Sequence, residues 1–351
     1  MLKNKWPDTG RTLFSKNYYL RITIWLGKQY IRMKRIFLYI LAVANLALLP
    51  SCSKVESEET VVDRRIVVLS SIGGMGDHGY NDLVISGLMK SYWARGRFDA
   101  HMFYLGPESM EEAEAFVERW IGPETKTAKH TLLVMCSADY RELAEKKLTD
   151  RDFASENEVE MLVFEVPELP ESQNGIKAYS FMIPMYGASY DAGVYAAQNG
   201  YEKPLIWLAD KSDALTRRAG EGFSDGYKSV TDDVTPEWRF LSDDWHGYTM
   251  GGEAYAQMEE VGGQYDFIFP VMGGSNMGIY RYLRENPDGP AVVGMDVDQS
   301  IYSTNVVGNI LKHIDVVLYG LIDDWMNGNP IEHYKEYDTQ SGYIEWSPVA
   351  R

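Results

Sequence analysis

Residues 66–82 read Ile66-Val67-Val68-Leu69-Ser70-Ser71-Ile72-Gly73-Gly74-Met75-Gly76-Asp77-His78-Gly79-Tyr80-Asn81-Asp82. An unbroken aliphatic run bounded by serines is the pattern of a strand buried on both faces, as in a parallel sheet covered by helices. The turn that follows supports more than one function. By bare spacing, Gly74, Gly76 and Gly79 fit G-x-G-x-x-G, which brings a backbone close to a dinucleotide pyrophosphate at a helix N-terminus. By residue type, the same turn carries Asp77, Tyr80 and Asn81, polar and aromatic groups suited to a small uncharged ligand. A glycine-rich strand-to-helix turn with no ligand is the third reading. The dinucleotide reading needs an acidic residue at the end of the next strand. Its candidate, Glu108, follows Gly106-Pro107 and lies further on than that fingerprint expects. Asp77 would also face the pyrophosphate with like charge.

Outward from this turn, short apolar runs alternate with helical patterns. Strands are expected over residues 66–70, 101–105, 132–136, 161–166, 178–182, 205–209, 238–241, 267–270 and 291–295. Helices are expected over 82–94, 110–121, 140–147, 189–199, 214–230, 249–260, 277–285 and 307–326. The alternation is long enough for two α/β sheets. The chain is expected to change lobes near 184–188 and again near 296–302. One lobe would then hold 65–184 with 297–327, and the other 185–296 with 328–351.

The first 51 of the 351 residues read as a targeting region. Lys34-Arg35 precede an apolar stretch, 36–49, too short to span a bilayer comfortably, and Pro50-Ser51-Cys52 follow. Residues 49–52 resemble the lipobox of bacterial lipoproteins, which implies acylation of Cys52 and anchoring to a membrane. Met33 is the expected natural start, and 52–64 form an acidic tether. Removing residues 1–51 takes nine of the 34 basic and one of the 51 acidic side chains, leaving 25 against 50 and a formal charge near −25. Such a field repels nucleic acid and phosphorylated ligands unless a local basic site intervenes. Cys136 lies inside an apolar run and reads as a small buried hydrophobe.

Catalytic constellations are absent from the sequence: there is no G-x-S-x-G and no H-E-x-x-H, and the six histidines lack metal-ligand spacing. No enzyme, metal or cofactor is expected. In open α/β sheets ligands sit beyond the carboxyl ends of strands. Asp77, Tyr80, Asp139, Trp245, Gly273 and Asp296 all fall at such ends.

Five ordered motifs resemble the basic membrane protein family, the substrate-binding lipoproteins of ABC importers that include purine nucleoside receptors. They are the turn at 74–82, Gly222-Phe223 with Gly226-Tyr227, Met272-Gly273-Gly274-Ser275-Asn276-Met277-Gly278, Gly294-Met295-Asp296-Val297-Asp298-Gln299, and Asn309-Ile310-Leu311-Lys312-His313-Ile314-Asp315, the last expected on a helix. The resemblance spans about 65–325. It implies a type I periplasmic-binding-protein fold, two doubly wound Rossmann-like lobes joined by a multi-strand hinge, with a nucleoside between them and an ABC permease as partner. It further implies that Tyr80 and Trp245 flank a base and that Asp296 and Asp298 accept hydrogen bonds from ribose hydroxyls. Lys312 would neutralise them, while Asn81 and Asp139 reach the base. Capping and turn roles remain open for Asn81 and for one of the paired aspartates. A sugar or metabolite receptor or sensor of the same fold, and a secreted NAD-dependent enzyme, are the alternatives.

Overall fold

Two six-stranded sheets position everything that follows, in a computed structural model that describes residues 62–94, 101–121, 128–153, 158–231 and 233–350. The expected leader, Cys52 and most of the expected tether, residues 1–61, lie outside the described residues. The first half of the chain alternates β1 (Val62–Leu69), α1 (Tyr80–Ala94), β2 (His101–Leu105), α2 (Met110–Ile121), β3 (Ala128–Met135), α3 (Arg141–Thr149), β4 (Glu158–Phe164) and β5 (Lys177–Met182). The second half continues with α4 (Tyr186–Gln198), β6 (Pro204–Asp210), α5 (Ala214–Lys228), β7 (Glu237–Ser242), α6 (Gly251–Val261), β8 (Phe267–Val271), α7 (Asn276–Glu285) and β9 (Ala291–Asp296). Then come β10 (Val306–Lys312), α8 (Ile314–Asn327), β11 (Tyr334–Glu336) and β12 (Ile344–Pro348).

The first sheet has the order β11-β5-β4-β3-β1-β2 and the second β12-β10-β9-β8-β6-β7. Pairing is parallel throughout except between β10 and β12. Strands buried on both faces explain the unbroken apolar runs, and every residue of β6 and β8 is buried. Helices α1 and α8 on the first sheet, and α4 and α5 on the second, close one apolar cluster that runs through both sheets, from Val84 and Phe181 to Phe223 and Ile310. The opposite faces carry separate cores, under α2 and α3 on the first sheet and under α6 and α7 on the second.

Three expectations change here. Residues 307–312, expected as the start of a long helix, form β10, and the helix begins only at Ile314. Its sequence, Val-Val-Gly-Asn-Ile-Leu-Lys, is a buried strand whose apolar run continues into an apolar helix, so periodicity alone hides the boundary. Consequently β10 pairs with β9 in the second sheet rather than joining the first lobe, and β11 joins the first sheet rather than the second. The chain therefore crosses between sheets three times, after β5, after β10 and after β11.

The paired glycines of α5 are packing devices. A Cβ on Gly226 would stand 2.0 Å from the Tyr190 carbonyl oxygen, and one on Gly222 2.4 Å from that of Tyr186, so α4 and α5 touch backbone to backbone. Gly226→Ala is expected to destabilise the protein by about 1–3 kcal/mol through overpacking. A urea melt with an unchanged midpoint would contradict this contact.

Candidate functional site

The carboxyl ends of the strands converge on a cleft of about 200 Å³ lined from both sheets. From the first come the turn after β1 with Asp77 and Tyr80, Asp139 beyond β3, Glu165 after β4 and Met185 beyond β5. The second contributes Asp213 beyond β6, Trp245 and Tyr248 beyond β7, Gly273 after β8, Asp296 at the end of β9 and Lys312 at the end of β10.

The glycine turn is built by carboxylates. Asp77 accepts hydrogen bonds from the Gly79, Asn81 and Asp82 backbone N–H groups at 3.0, 2.9 and 3.3 Å and from Asn81 Nδ2 at 3.0 Å. Four accepted bonds use up a carboxylate's lone pairs. Asp82 takes the Gly76 and His78 N–H groups at 2.8 and 3.0 Å, and the carboxylate of Asp296 accepts from the Tyr80 N–H. The amides at the start of α1 that a pyrophosphate would need are thus occupied by the protein's own anions, which is the opposite of a phosphate cradle. Glu108, which the dinucleotide reading required, is absent from the cleft lining. Asp77 therefore caps the helix that begins at Tyr80 while still lining the cleft. Asn81 shares that work, since its Oδ1 accepts from Ser71 Oγ at 2.7 Å, leaving half of its hydrogen-bonding sites open to the cleft.

Asp296 lies against the same helix end. Its Oδ2 would be 3.0 Å from a Cβ on Gly79, so glycine there is what lets the carboxylate reach the helix. Asp296 holds a left-handed backbone, φ 66°, and so does Glu165, φ 58°. Such strain in a residue with a Cβ persists only where surrounding structure enforces it, and it concentrates at functional sites. Burial pushes the Asp296 carboxyl up to about 6, against the pull of Lys312, and repulsion from Asp77 and Glu165 adds to the rise. The Lys312 ammonium stands 2.7 Å from Glu165, with both side chains 6% exposed, and 5.3 Å from the centre of the Tyr80 ring. Tyr80's hydroxyl is buried without a hydrogen-bond partner, a site a bound molecule could satisfy.

On the facing wall, Asp213 caps α5 by accepting from the Leu215 N–H at 2.8 Å and also takes the Tyr248 hydroxyl. The Tyr248 ring packs beside Gly273, whose φ of 51° lets the chain turn there. Trp245 stacks on His246 at 3.9 Å between ring centres, leaving the histidine exposed at the rim. Asp139 accepts from Ser137 Oγ at 2.8 Å. Burial raises its carboxyl above the usual range, with Asp213 and Asp210 adding repulsion.

Asp298 does not belong to the cleft. It is exposed, and hydrogen bonds from the Ser300 hydroxyl, from the Ser300 N–H at 2.9 Å and from Asn309 Nδ2 at 3.2 Å hold its carboxyl below the usual range. Two residues apart at a strand end, it faces away from Asp296 and serves as a turn cap. Asp298→Ala should therefore leave ligand affinity unchanged, as titration calorimetry can check. The neighbouring Gln299, buried, donates to the His78 carbonyl at 3.1 Å, while the Tyr302 hydroxyl meets the His78 ring at 3.2 Å. Glu165, Asp213 and Tyr248 were not singled out from the sequence. Glu165 was hidden inside an apolar run read as strand to residue 166, whereas Asp213 and Tyr248 sit beyond strand ends where the same rule could have found them.

The comparisons with known proteins fit this architecture. The family profile described as ABC transporter substrate-binding protein, PnrA-like (Bmp), matches residues 170–348, 179 of the 351. Basic membrane protein C of Borreliella burgdorferi is 23% identical over 291 residues, covering 79% of this chain and 78% of its own. Among solved structures, an ABC transporter solute-binding protein from Aeropyrum pernix superposes with a TM-score of 0.65 at 18% identity, over 81% of this chain and 76% of that one. GanP, a glucose-galactose binding protein from Geobacillus stearothermophilus, does so with a TM-score of 0.56 at 11% identity, over 82% and 97%. At these identities the structural likeness establishes the fold, the two-lobed type I periplasmic-binding-protein architecture. The chain belongs to the Bmp family, the PnrA-like substrate-binding proteins of ABC transporters.

Proposed function

We propose that the protein is a lipid-anchored receptor, acylated at Cys52, that closes on a nucleoside between its sheets and delivers it to an ABC permease. The observation that carries this reading is the make-up of the cleft. Three aromatic side chains, Tyr80, Trp245 and Tyr248, line it together with carboxylates from both sides. Aromatic faces stack bases, each worth roughly 1–3 kcal/mol. Carboxylates accept strong hydrogen bonds from sugar hydroxyls or base N–H groups. In this reading Asp296, beside Lys312 and the unpartnered Tyr80 hydroxyl, takes the ribose, and Asp139 takes the base edge. Closure around the ligand would report occupancy to the permease.

Two observations weigh against the alternatives. No arginine lines the cleft among the described residues, and the turn amides that NAD would need are occupied. The direct test is a thermal-shift screen of purine and pyrimidine nucleosides, nucleotides, sugars and NAD on the globular part. A nucleoside at 100 times its dissociation constant should stabilise the native state by about 2.7 kcal/mol. If sugars shift the melt and no nucleoside does, the nucleoside assignment falls.

A further inference from the structure

Lys312 is the one cation among the described residues that line the cleft, and its charge is already matched. It reaches from the end of β10 in the second sheet to Glu165, just beyond β4 in the first, at 2.7 Å and almost out of contact with solvent. Glu165 is held for this role. Its backbone is left-handed, and its second carboxylate oxygen accepts from the Ile183 N–H at 3.3 Å. The other titratable acids of the lining are Asp77, Asp139, Asp213 and Asp296. An entering anion therefore meets carboxylates and no uncompensated positive charge. An uncharged molecule with hydroxyl or amide groups meets these carboxylate acceptors together with the free Tyr80 hydroxyl.

We propose that Glu165 is the charge-selecting residue of the cleft. By holding Lys312 in a buried ion pair it makes the site refuse phosphorylated and other anionic ligands, so a nucleoside would enter and its monophosphate would not. The inference rests on this cleft being the ligand site, and it holds whichever uncharged ligand the site takes. Removing the glutamate's charge while keeping its shape would leave Lys312 as a buried cation with only the Asp296 carboxyl near it, and so open to an entering anion.

The experiment uses inorganic phosphate as the probe, with ribose 5-phosphate against ribose as a second pair. Melting temperatures in phosphate and in chloride at equal ionic strength are compared for the wild type, Glu165→Gln and the double variant Glu165→Gln/Lys312→Met. The wild type should gain nothing specific from phosphate. Glu165→Gln should gain about 2 °C or more, and the double variant should lose that gain. Ribose 5-phosphate should follow phosphate, and ribose should not distinguish the variants. No phosphate-specific gain in Glu165→Gln, or an equal gain in the double variant, overturns the proposal. So does a phosphate-specific gain in the wild type that Lys312→Met abolishes, a measurement that does not depend on the glutamine variant folding. Failure of the nucleoside assignment would appear instead as the absence of any nucleoside shift in the wild type, and it leaves these comparisons readable.

Discussion

At pH 7.5, Asp296→Asn is expected to melt higher than the parent protein and to bind ligand about 10- to 100-fold more weakly. The two effects share one cause. Burial, reinforced by Asp77 and Glu165, lifts the folded-state Asp296 carboxyl to about 6, whereas an unfolded aspartate titrates near 3.9. Between about pH 4 and pH 6 the folded chain holds a proton that the unfolded chain has released, so stability falls as pH rises through that window. Above pH 6 the full penalty applies, on the order of 2–3 kcal/mol. Asparagine removes the charge, tolerates the left-handed backbone and can still accept from the Tyr80 N–H. Melts at pH 5 and pH 7.5 should show the gap between variant and parent opening with pH, and equal gaps would mean that burial is not what shifts this group.

The loss of affinity follows from the ionised form. A hydrogen bond from a ligand hydroxyl to a carboxylate contributes about 1.5–3 kcal/mol, and a neutral amide returns only part of it. In the parent protein, affinity should fall as pH drops from 7 to 5, because protonation of Asp296 takes away the charged acceptor. Calorimetry of the variant should show no such dependence. A variant that binds as tightly as the parent would place the ligand elsewhere in the cleft.

Lys312→Met is the second large effect, a destabilisation of about 3–5 kcal/mol, the usual result of stranding one member of a buried pair. Glu165 would remain buried beside other carboxylates with only the Ile183 N–H as partner, and Asp296 would lose the cation that tempers its burial. Adding Glu165→Gln should recover most of the loss, because it removes the stranded charge. Urea unfolding of the single and double variants measures both steps. If the double variant is no more stable than Lys312→Met, the ion pair is not the source of the loss, and the contact of the Lys312 ammonium with the Tyr80 ring takes its place as the explanation.

Much of this architecture could be read without coordinates, for a local reason. Buried parallel strands announce themselves as continuous apolar runs, and α2 and the start of α5 fell where the periodicity put them. The rule that sites lie beyond strand ends placed Tyr80, Asp139, Trp245, Gly273 and Asp296 in one cleft. The same reasoning failed at residues 307–312, where a buried strand and an apolar helix run together without a change of composition. It failed again at Glu165, which carries no local mark of being the last residue before a turn.

What the chain by itself determined is the approximate ends of the first nine strands, and with them most of the polar side chains that can meet at a shared edge. Only the tertiary structure decided which of them face the cleft and what charge they keep there. Asp77 is consumed by the amides of its own helix, Asp298 points outward two residues from Asp296, and Lys312 meets a glutamate 147 positions away in sequence. Charge state and availability depend on burial and on partners from the other sheet. These are non-local quantities that no spacing of residues along the chain can encode.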